Sequence, residues 1–382
     1  MIRRVLFVNT PTYIGGAELS LLALMRHLEP GRFVPQLVTG GDGPLLAEGR
    51  LAGIASRVHE FAWFRKRRPW AYASSVLRLA RVIRGEGICL VHTNCDHSLR
   101  YVMWAARLAG IPYVSHVRDF ARTWFEPGNV AALNRAARVI ANSRATARAC
   151  VEAGVEPQRL VTIYNPIDVA AFGGVSPEAR ARERAALGIP TAALVIGLVG
   201  QVQPIKGHAE FVTAACEVAR RVPTAHFLVV GAPPPGDEAA RFAEGVRRQA
   251  DQSSLGDRIH FTGFRSDIPH VMAMLDILAV PSWREPFGRV AVEGMAAGRP
   301  VVGTNVGGLP EIISHNVDGL LVAPRDPGAL ANALVRLSQD AALRTRLAGE
   351  GLRTAARFGL QQHAAAVQAL YESVLAAGPA RT

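Results

Sequence analysis

Two glutamates eight residues apart mark the segment of the chain with the clearest chemical potential. Glu285 and Glu293 stand in PSWREPFGRVAVEGM, residues 281–295, which follows an apolar run and continues into a helical pattern. Along a helix their separation would be about 12 Å, wider than the roughly 5–9.5 Å between paired glycosidase carboxylates. The spacing therefore favours contacts with two ends of one long ligand. A capping glutamate beside a solvated one is the structural alternative.

The same segment predicts an anion site at the start of a helix over residues 287–297. Pro286 suits a first helical turn, because its missing N–H costs nothing there. The N–H groups of Phe287 and Gly288 are then free to bind a phosphate, which the helix dipole attracts. Arg289 adds a positive charge to the same turn.

Lys206 is a second candidate for ligand binding. It stands in GQVQPIKG, residues 200–207, between a predicted strand and a predicted helix. The chain has 41 arginines but two lysines, Lys66 and Lys206, so a lysine here is an uncommon choice in this composition. A compact ammonium group suits a point contact with phosphate. A solvated lysine is the alternative.

The first half of the chain has two further candidates. Gly15 and Gly16 follow the first predicted strand, and glycines let backbone N–H groups approach a ligand closely. His116 ends another predicted strand, with Arg118 and Asp119 just beyond it. A plain turn and a structural histidine are the alternatives.

One loop combines cations with aromatic side chains. The segment FAWFRKRRPW, residues 61–70, has four consecutive cations with aromatic residues on both sides. The cations are Arg65, Lys66, Arg67 and Arg68. The segment is either a solvated loop or a patch that binds an anionic lipid surface, where each cation contributes roughly 1 kcal/mol.

The elements that must position these residues alternate along the chain. Short apolar runs are separated by helical patterns in both halves, which is typical of parallel sheets covered by helices. The turn cluster GGVSP and the charged stretch after it predict a linker over 173–186. The sequence therefore predicts an α/β fold with two doubly wound Rossmann-like domains, residues 1–172 and 187–358, and a C-terminal helix and tail over 359–382. Ligands bind outside the carboxyl ends of such strands, so we expect the site in the cleft between the halves.

Composition limits the class of protein. The 382 residues have a formal net charge of +12, and residues 1–172 hold +10 of it, so the first half is expected to meet an anionic partner. With 49% hydrophobic and 19% charged residues, the chain is not of a disordered class. The four cysteines lack the spacing of a disulfide framework or a zinc site.

No apolar stretch has the length of a membrane span, and the first apolar run is shorter than the core of a signal peptide. We therefore expect a cytoplasmic protein, with peripheral binding to the inner face of the plasma membrane as an option.

Taken in order, the motifs resemble those of glycosyltransferase family 4, retaining enzymes of the GT-B fold. Glu285 and Glu293 match the family's E-x7-E signature. Five more motifs match its order and spacing: NPID at 165–168, FTGF at 261–264, GRPVV at 298–302, GGLPEI at 307–312 and DGLLV at 318–322.

The resemblance implies two domains facing across a cleft, with the C-terminal helix crossing back to the N-terminal domain. It implies that the C-terminal domain holds a nucleoside-diphosphate sugar and the N-terminal domain an acceptor. His116, Lys206 and Glu285 would act in catalysis. Donor contacts would come from Gly15, Gly16, Gln201, Lys206, Gly263, Phe264, Glu285, Phe287, Gly288, Arg289 and Glu293. The residues Arg65, Lys66, Arg67, Arg68, Arg118 and Asp119 are candidates for acceptor or membrane binding.

Gln201 departs from the family pattern. The family usually has an arginine there that binds the donor diphosphate, and Arg289 is the candidate that would replace its charge.

The implied reaction transfers a sugar, with retention, to a hydroxyl of a glycan or lipid-linked acceptor in cell-surface polysaccharide or glycolipid synthesis. No covalent nucleophile stands out, which fits the family's same-face attack, in which the leaving diphosphate takes the acceptor's proton. No Asp-x-Asp motif is present, so we expect no metal and no other cofactor.

Two other functions stay open. One is a sugar-nucleotide epimerase on the same fold, which would convert the donor without an acceptor. The other is a non-catalytic module that binds membrane or nucleic acid through the basic half. No nucleic-acid motif is present, so we expect no nucleic-acid partner.

Overall fold

The structure is a computed structural model that describes residues 2–61 and 69–378. The predicted lipid-binding residues Arg65, Lys66, Arg67 and Arg68 lie outside these ranges. The chain forms two compact units, which are called unit 1 (Met1–Pro166 and Leu360–Thr382) and unit 2 (Ile167–Gly359).

Unit 1 is built on a parallel sheet of seven strands in the order β3-β2-β1-β4-β5-β6-β7. The strands are β1 (Arg3–Asn9), β2 (Phe33–Thr39), β3 (Ala55–Val58), β4 (Ile88–Thr93), β5 (Tyr113–Val117), β6 (Arg138–Ala141) and β7 (Leu160–Thr162). Its helices are α1 (Gly16–His27), α2 (Pro44–Leu51), α3 (Pro69–Gly85), α4 (Asp96–Ala109), α5 (Pro127–Leu133) and α6 (Arg144–Glu152).

The core of unit 1 lies on both faces of this sheet. The residues of β1 alternate between two hydrophobic core clusters. Leu6 and Val8 pack in one cluster, and Val5 and Phe7 pack in the other. All four are fully buried, since side chains alternate across a strand that has helices on both sides. This confirms the reading of the apolar runs as strands of a covered parallel sheet.

Unit 2 repeats the design with six parallel strands in the order β10-β9-β8-β11-β12-β13. They are β8 (Leu194–Val199), β9 (Ala225–Val230), β10 (Ile259–Gly263), β11 (Ile277–Val280), β12 (Val301–Thr304) and β13 (Leu320–Val322). Its helices are α7 (Pro177–Ala186), α8 (His208–Arg221), α9 (Asp237–Asp251), α10 (Ile268–Met274), α11 (Arg289–Ala296), α12 (Leu309–Ile312), α13 (Pro327–Gln339) and α14 (Ala341–Ala355).

The chain passes between units earlier than the predicted linker over 173–186. It enters unit 2 at Ile167, and Pro177–Ala186 form α7 within that unit. Arg184 of α7 is buried and donates hydrogen bonds to the carbonyls of Met274 and Ala193. The turn-rich residues before α7 therefore lead only to its N-cap, where the Ser176 hydroxyl accepts a hydrogen bond from the Ala179 N–H.

The last helix, α15 (Leu360–Ala376), returns to unit 1 and packs on α1. Val367 and Tyr371 of α15 are fully buried in the core cluster that contains Phe7. The expected return of the C-terminal helix to the first domain is therefore confirmed.

Within the described ranges, no helix has the length and apolar content needed to cross a bilayer.

Candidate functional site

The carboxyl edge of the unit 2 sheet brings two distant segments together. β8 and β11 are neighbours in the sheet, although two strands separate them in the chain. The chain therefore leaves β8 towards one edge of the sheet and leaves β11 towards the other edge. Ligands bind at such a switch point in open α/β sheets. The loop with Lys206 follows β8, and the loop with Glu285 follows β11.

Lys206 and Glu285 meet at this edge. The Lys206 Nζ lies 2.6 Å from Oε2 of Glu285, and the same oxygen accepts a hydrogen bond of 3.2 Å from the Ser282 hydroxyl. Glu285 is largely buried, with 11% of its side chain exposed, while Lys206 keeps 26% exposed. The cation is therefore positioned by the carboxylate and still open to a ligand.

A glycine allows the two loops to come this close. Gly207 has a φ of 74°, and a Cβ atom there would overlap the carbonyl oxygen of Pro281. The Trp283 N–H also donates a 2.8 Å hydrogen bond to the Ile205 carbonyl. Backbone contact therefore sets the position of Lys206 beside Glu285.

Two further glycines, Gly307 and Gly308, support the backbone at Glu285. Gly307 has a φ of 56°, and a Cβ atom there would overlap the Glu285 carbonyl oxygen. The Gly308 N–H donates a 2.8 Å hydrogen bond to that oxygen. This packing gives the GGLPEI motif a physical role, which is to fix the backbone of the glutamate loop.

Glu293 lies in α11, the helix that follows the Glu285 loop. Its carboxylate is buried, and Oε1 lies 2.7 Å from Nε of Arg289, one turn earlier. Burial raises the pKa of Glu293, and the Arg289 guanidinium opposes that rise. Arg289 is therefore engaged by Glu293 through Nε, and its role as the replacement for the missing arginine at Gln201 stays a prediction.

The predicted start of this helix is wrong by two residues. α11 begins at Arg289, because Gly288, with a φ of 108°, is outside the helical region. Pro286 therefore lies in the loop, and the Phe287 ring is buried against Phe358, with ring centroids 5.5 Å apart. The 12 Å helical separation of the two glutamates does not apply, since Glu285 precedes the helix.

The remaining predicted donor residues of unit 2 lie on the loop after β8, at the last residue of β10 and on the loop after β10. Gln201 is exposed and its Oε1 accepts a hydrogen bond from the Gln203 side chain. The Gly263 carbonyl accepts a 2.8 Å hydrogen bond from Gly231 at the end of β9. Phe264, next along, is 74% exposed. The loop after β10 thus presents an aromatic ring beside the carboxyl ends of its neighbours.

Unit 1 has a chain of buried polar side chains at its own carboxyl edge. Arg118, after β5, places Nε 2.5 Å from Oδ1 of Asn94, after β4, and its Nη1 also donates to Asn165, after β7. Asn94 donates to Asn9 at the end of β1, 3.0 Å away, and Asn9 donates to Glu18. Side chains from four strand ends thus form one connected network.

The glycine loop after β1 joins this network through Glu18. Glu18 accepts a 3.0 Å hydrogen bond from the Gly15 N–H, and α1 begins at Gly16. Asp119 stands outside the network, with an exposed side chain that accepts a hydrogen bond from the Ala121 N–H.

His116 is fully enclosed at the end of β5. Neither of its ring nitrogens has a hydrogen-bond partner among the described residues. Burial lowers the pKa of His116 well below its usual range, and the Arg118 charge adds to this effect. The ring lies between those of His92 and His363, at centroid distances of 5.5 and 6.3 Å. In this conformation His116 is a neutral imidazole without access to solvent.

Helix α15 holds the two neighbours of His116 in place. The Tyr371 hydroxyl lies 2.6 Å from Nδ1 of His92. Nδ1 of His363 donates to the Tyr164 carbonyl at 2.7 Å, since a carbonyl can only accept. The C-terminal helix is therefore part of the wall around His116.

Several site residues were not among the predicted ones. Ser282, Asn94 and Glu18 contact predicted residues, yet they belong to residue types that are common in loops and helix starts. Asn165 had a signal, because it begins the NPID motif. Position after the end of a strand is the signal that could have found Asn94 and Ser282.

One cluster in unit 2 has the spacing of metal ligands. Glu183, Asp267 and His270 place ligand atoms within 4.8 Å of one another. Arg265 forms ion pairs with both carboxylates, at 2.9 Å from Glu183 and at a shorter distance from Asp267. One guanidinium thus already compensates part of the negative charge of the two carboxylates.

Both halves of the chain match known families. Residues 14–171 match the family described as Glycosyltransferase Family 4, and residues 193–340 match Glycosyl transferases group 1. Together the two matches span most of the chain and divide it near the boundary between the two units.

Curated relatives extend this similarity. The D-inositol 3-phosphate glycosyltransferase of Salinispora arenicola is 33% identical over 359 residues, which is 90% of this chain and 75% of that protein. The enzyme of the same name from Saccharomonospora viridis is 29% identical over 374 residues, 94% of this chain and 82% of that one.

A solved structure shows the same architecture. Anabaena Alr3699/HepE, in complex with UDP and glucose, superimposes with a TM-score of 0.86 and 27% identity, covering 97% of this chain and 99% of that one. Two doubly wound units, the two family matches and relatives of this identity agree. The chain belongs to glycosyltransferase family 4, has the GT-B fold and is a glycosyltransferase.

Proposed function

We propose that the chain is a retaining transferase that moves a sugar from a UDP-sugar to a hydroxyl of an anionic acceptor. The observation that carries this proposal is the contact of Lys206 with Glu285 at the switch point of unit 2. The acceptor would bind to unit 1, where most of the net positive charge of the chain lies.

A uridine donor is supported by similarity. Alr3699/HepE has been solved with UDP and with UDP-glucose, and it shares 27% identity with this chain. In this chain the exposed Phe264 ring offers an apolar face for a base, while Glu293 offers carboxylate oxygens for ribose hydroxyls.

Lys206 would stabilise the leaving diphosphate. As the bond between the anomeric carbon and the diphosphate oxygen breaks, negative charge grows on that oxygen, and a fixed cation stabilises it. The acceptor oxygen forms its bond to the anomeric carbon on the same face and gives its proton to the diphosphate. The sequence has no Asp-x-Asp motif, and we propose a metal-independent transfer.

The ion pair with Glu285 has a consequence for donor binding. A bound diphosphate would compete with Glu285 for the Lys206 ammonium group, which offers three N–H donors. Because the Ser282 hydroxyl already donates to Glu285, the carboxylate would remain partly satisfied when Lys206 turns to the donor.

A phosphorylated polyol is the acceptor class that the relatives favour. The curated relatives are D-inositol 3-phosphate glycosyltransferases. Arg144 is exposed at the start of α6, at the carboxyl edge of the unit 1 sheet, and Arg118 lies on the neighbouring strand end. We therefore propose a phosphate-bearing acceptor, either soluble or linked to a lipid.

One surface of unit 1 has the composition for a peripheral membrane contact. α3 and α4 pack side by side, and the Arg84 guanidinium donates to the Leu108 carbonyl across them. Their solvent side, the α3–α4 face, exposes Trp70, Leu77, Arg78, Arg81, Arg84, Arg100, Trp104, Arg107 and Leu108. α3 has no acidic residue and follows the basic segment 65–68 directly. We propose that this face touches an anionic bilayer at the cytoplasmic side, in glycolipid or surface-polysaccharide synthesis.

Calorimetric titration of the full chain with UDP, GDP and ADP tests the donor proposal. UDP should bind at least tenfold more tightly than the other two, and EDTA should leave the affinity unchanged. Absence of binding to all three nucleotides would contradict the proposal. Incubation with UDP-glucose alone, followed by NMR, separates the epimerase alternative, because an epimerase would form a second sugar nucleotide.

Flotation with vesicles tests the membrane part on its own. Vesicles with about one third phosphatidylglycerol should carry the chain, whereas pure phosphatidylcholine vesicles should not. A Trp70→Ser, Trp104→Ser variant should lose flotation and keep UDP binding. Equal flotation of the variant would contradict a role for the α3–α4 face.

A further inference from the structure

A pocket of about 390 Å³ lies at the opposite edge of the unit 2 sheet from Lys206 and Glu285. Its walls come from α7, from the segment that leads into β8, and from Asp276, which directly precedes β11. These are amino ends of strands, so none of the proposed donor residues lines the pocket. Its volume is within the range of sites for small organic ligands.

Positive charge exceeds negative charge in this pocket. Arg180 and Arg184 both contact Asp276, one on each carboxylate oxygen. The second oxygen also accepts a 2.8 Å hydrogen bond from the Val195 N–H. Asp276 is thus fully engaged by two guanidinium groups and a backbone donor, and it cannot neutralise both cations.

A third guanidinium raises the excess. Burial lowers the pKa of Arg299, and the charges of Arg180 and Arg184 lower it further, against the opposing effect of Asp276. Three arginines therefore lie near one carboxylate, and two of them, Arg180 and Arg184, contact it. Arg184 donates hydrogen bonds to two carbonyl oxygens and to Asp276. Arg299 donates hydrogen bonds to two carbonyl oxygens.

Arg180 retains a free donor. Its Nε is buried and has no hydrogen-bond partner in the described parts of the chain, although its Nη2 contacts Asp276. A buried donor without a partner costs free energy, which an anionic ligand would recover. Thr191, whose side chain has a hydroxyl group, lines the same pocket, together with the apolar residues Ala192 and Leu194.

We propose that this pocket binds a small phosphate monoester, with the phosphoryl group on Arg180 and Thr191 and the organic part on the apolar wall. A planar guanidinium suits the bidentate recognition of phosphate oxygens. The site is separate from the donor site and does not depend on the proposed reaction.

Calorimetric titration of the full chain with glycerol 3-phosphate and with inorganic phosphate tests the site. Lys206→Ala removes the donor cation and should leave both affinities unchanged. Arg180→Ala should weaken binding at least tenfold. Tighter binding of glycerol 3-phosphate than of phosphate supports the proposal, and equal binding of the two would contradict the role of the apolar wall.

A second variant guards against loss of folding in Arg180→Ala. Ala192→Phe fills the pocket from its exposed rim and leaves the ion pairs of α7 in place, so it should also abolish binding while the thermal midpoint is kept. Wild-type affinity in both pocket variants, or loss of binding in Lys206→Ala, would overturn the proposal.

Discussion

Lys206 Nζ lies 2.6 Å from Oε2 of Glu285, although the two residues are 79 positions apart in the chain. The contact depends on backbone approach, because Gly207 lies against the Pro281 carbonyl and Gly307 against the Glu285 carbonyl. A lysine positioned in this way meets a ligand with little reorganisation, which is the condition for electrostatic stabilisation of a transition state.

Removal of the lysine should therefore reduce the rate of transfer. We expect Lys206→Ala to lower kcat/KM about 10²- to 10³-fold, the usual loss when a transition-state donor is removed. The change also leaves the partly buried Glu285 carboxylate without its counter-ion. Steady-state kinetics with a UDP-sugar would measure the effect. Arg220→Ala is the matched control, because that cation of unit 2 is exposed, and an equal loss there would contradict the prediction.

The effects of changing Lys206 and Glu285 should also be coupled. If Lys206 and Glu285 act together, the double variant Lys206→Ala, Glu285→Gln should lose less than the product of the single losses. Simple multiplication of the two losses would show that they act independently.

Glu293→Gln should weaken donor binding. The change keeps the shape of the side chain but removes the charge that pairs with Arg289. We expect the Kd for UDP to rise about tenfold, with a small change in thermal midpoint, because burial already disfavours the charged form of Glu293. Glu350→Gln on α14 is the control, since its ion pair with Arg353 is on the surface. An unchanged Kd for UDP in Glu293→Gln would contradict a role in the donor site.

Tyr371→Phe tests whether α15 positions His116. The variant keeps the ring in the core but removes the hydroxyl that contacts His92. We expect a loss of about 1–3 kcal/mol in the free energy of unfolding, because a buried imidazole nitrogen loses its partner. If His116 acts in transfer, kcat should fall severalfold while the donor KM is kept. Ser373→Ala, on the exposed side of the same helix, should change neither quantity.

Acid should destabilise unit 1 through its buried histidines. Burial lowers the pKa of His363 to about 3, and it also lowers those of His92 and His116. Below the unfolded histidine pKa of about 6.5, these histidines bind protons in the unfolded chain but stay neutral in the folded chain. The free energy of unfolding therefore decreases as the pH falls from about 6.5 towards the folded-state pKa values. The decrease is up to about 1.4 kcal/mol per pH unit for each histidine.

Thermal unfolding between pH 7.5 and pH 5 checks this effect. His363→Asn can keep the hydrogen bond to the Tyr164 carbonyl without a titrating ring, so its midpoint should fall less steeply with pH. An identical pH dependence in the variant and the wild type would contradict the assignment.

The sheets could be predicted from the sequence because apolar runs such as residues 5–8 are too short for a helix and match strands that are buried on both faces. The boundary between units could not, since a helix such as Pro177–Ala186 has the same polar, turn-flanked composition as a linker. Its assignment depends on the burial of Arg184, which the sequence does not reveal.

The unit 2 site was predictable by residue type but not by geometry. Lys206 and Glu285 stood out in their motifs, whereas the start of α11 depended on the positive φ of Gly288, a property that glycine permits but does not dictate. The polar network of Arg118, Asn94 and Asn165 arises from strands that are adjacent only in the folded sheet.

Release of UDP from UDP-sugars is the most direct test of the account. The full chain would be incubated with UDP-glucose, UDP-galactose and UDP-N-acetylglucosamine, each with and without D-inositol 3-phosphate, and free UDP would be measured with time. The account predicts slow release from at least one donor, faster release with a phosphorylated acceptor, and loss of both in Lys206→Ala. No release from any donor, or equal release in Lys206→Ala, would contradict it.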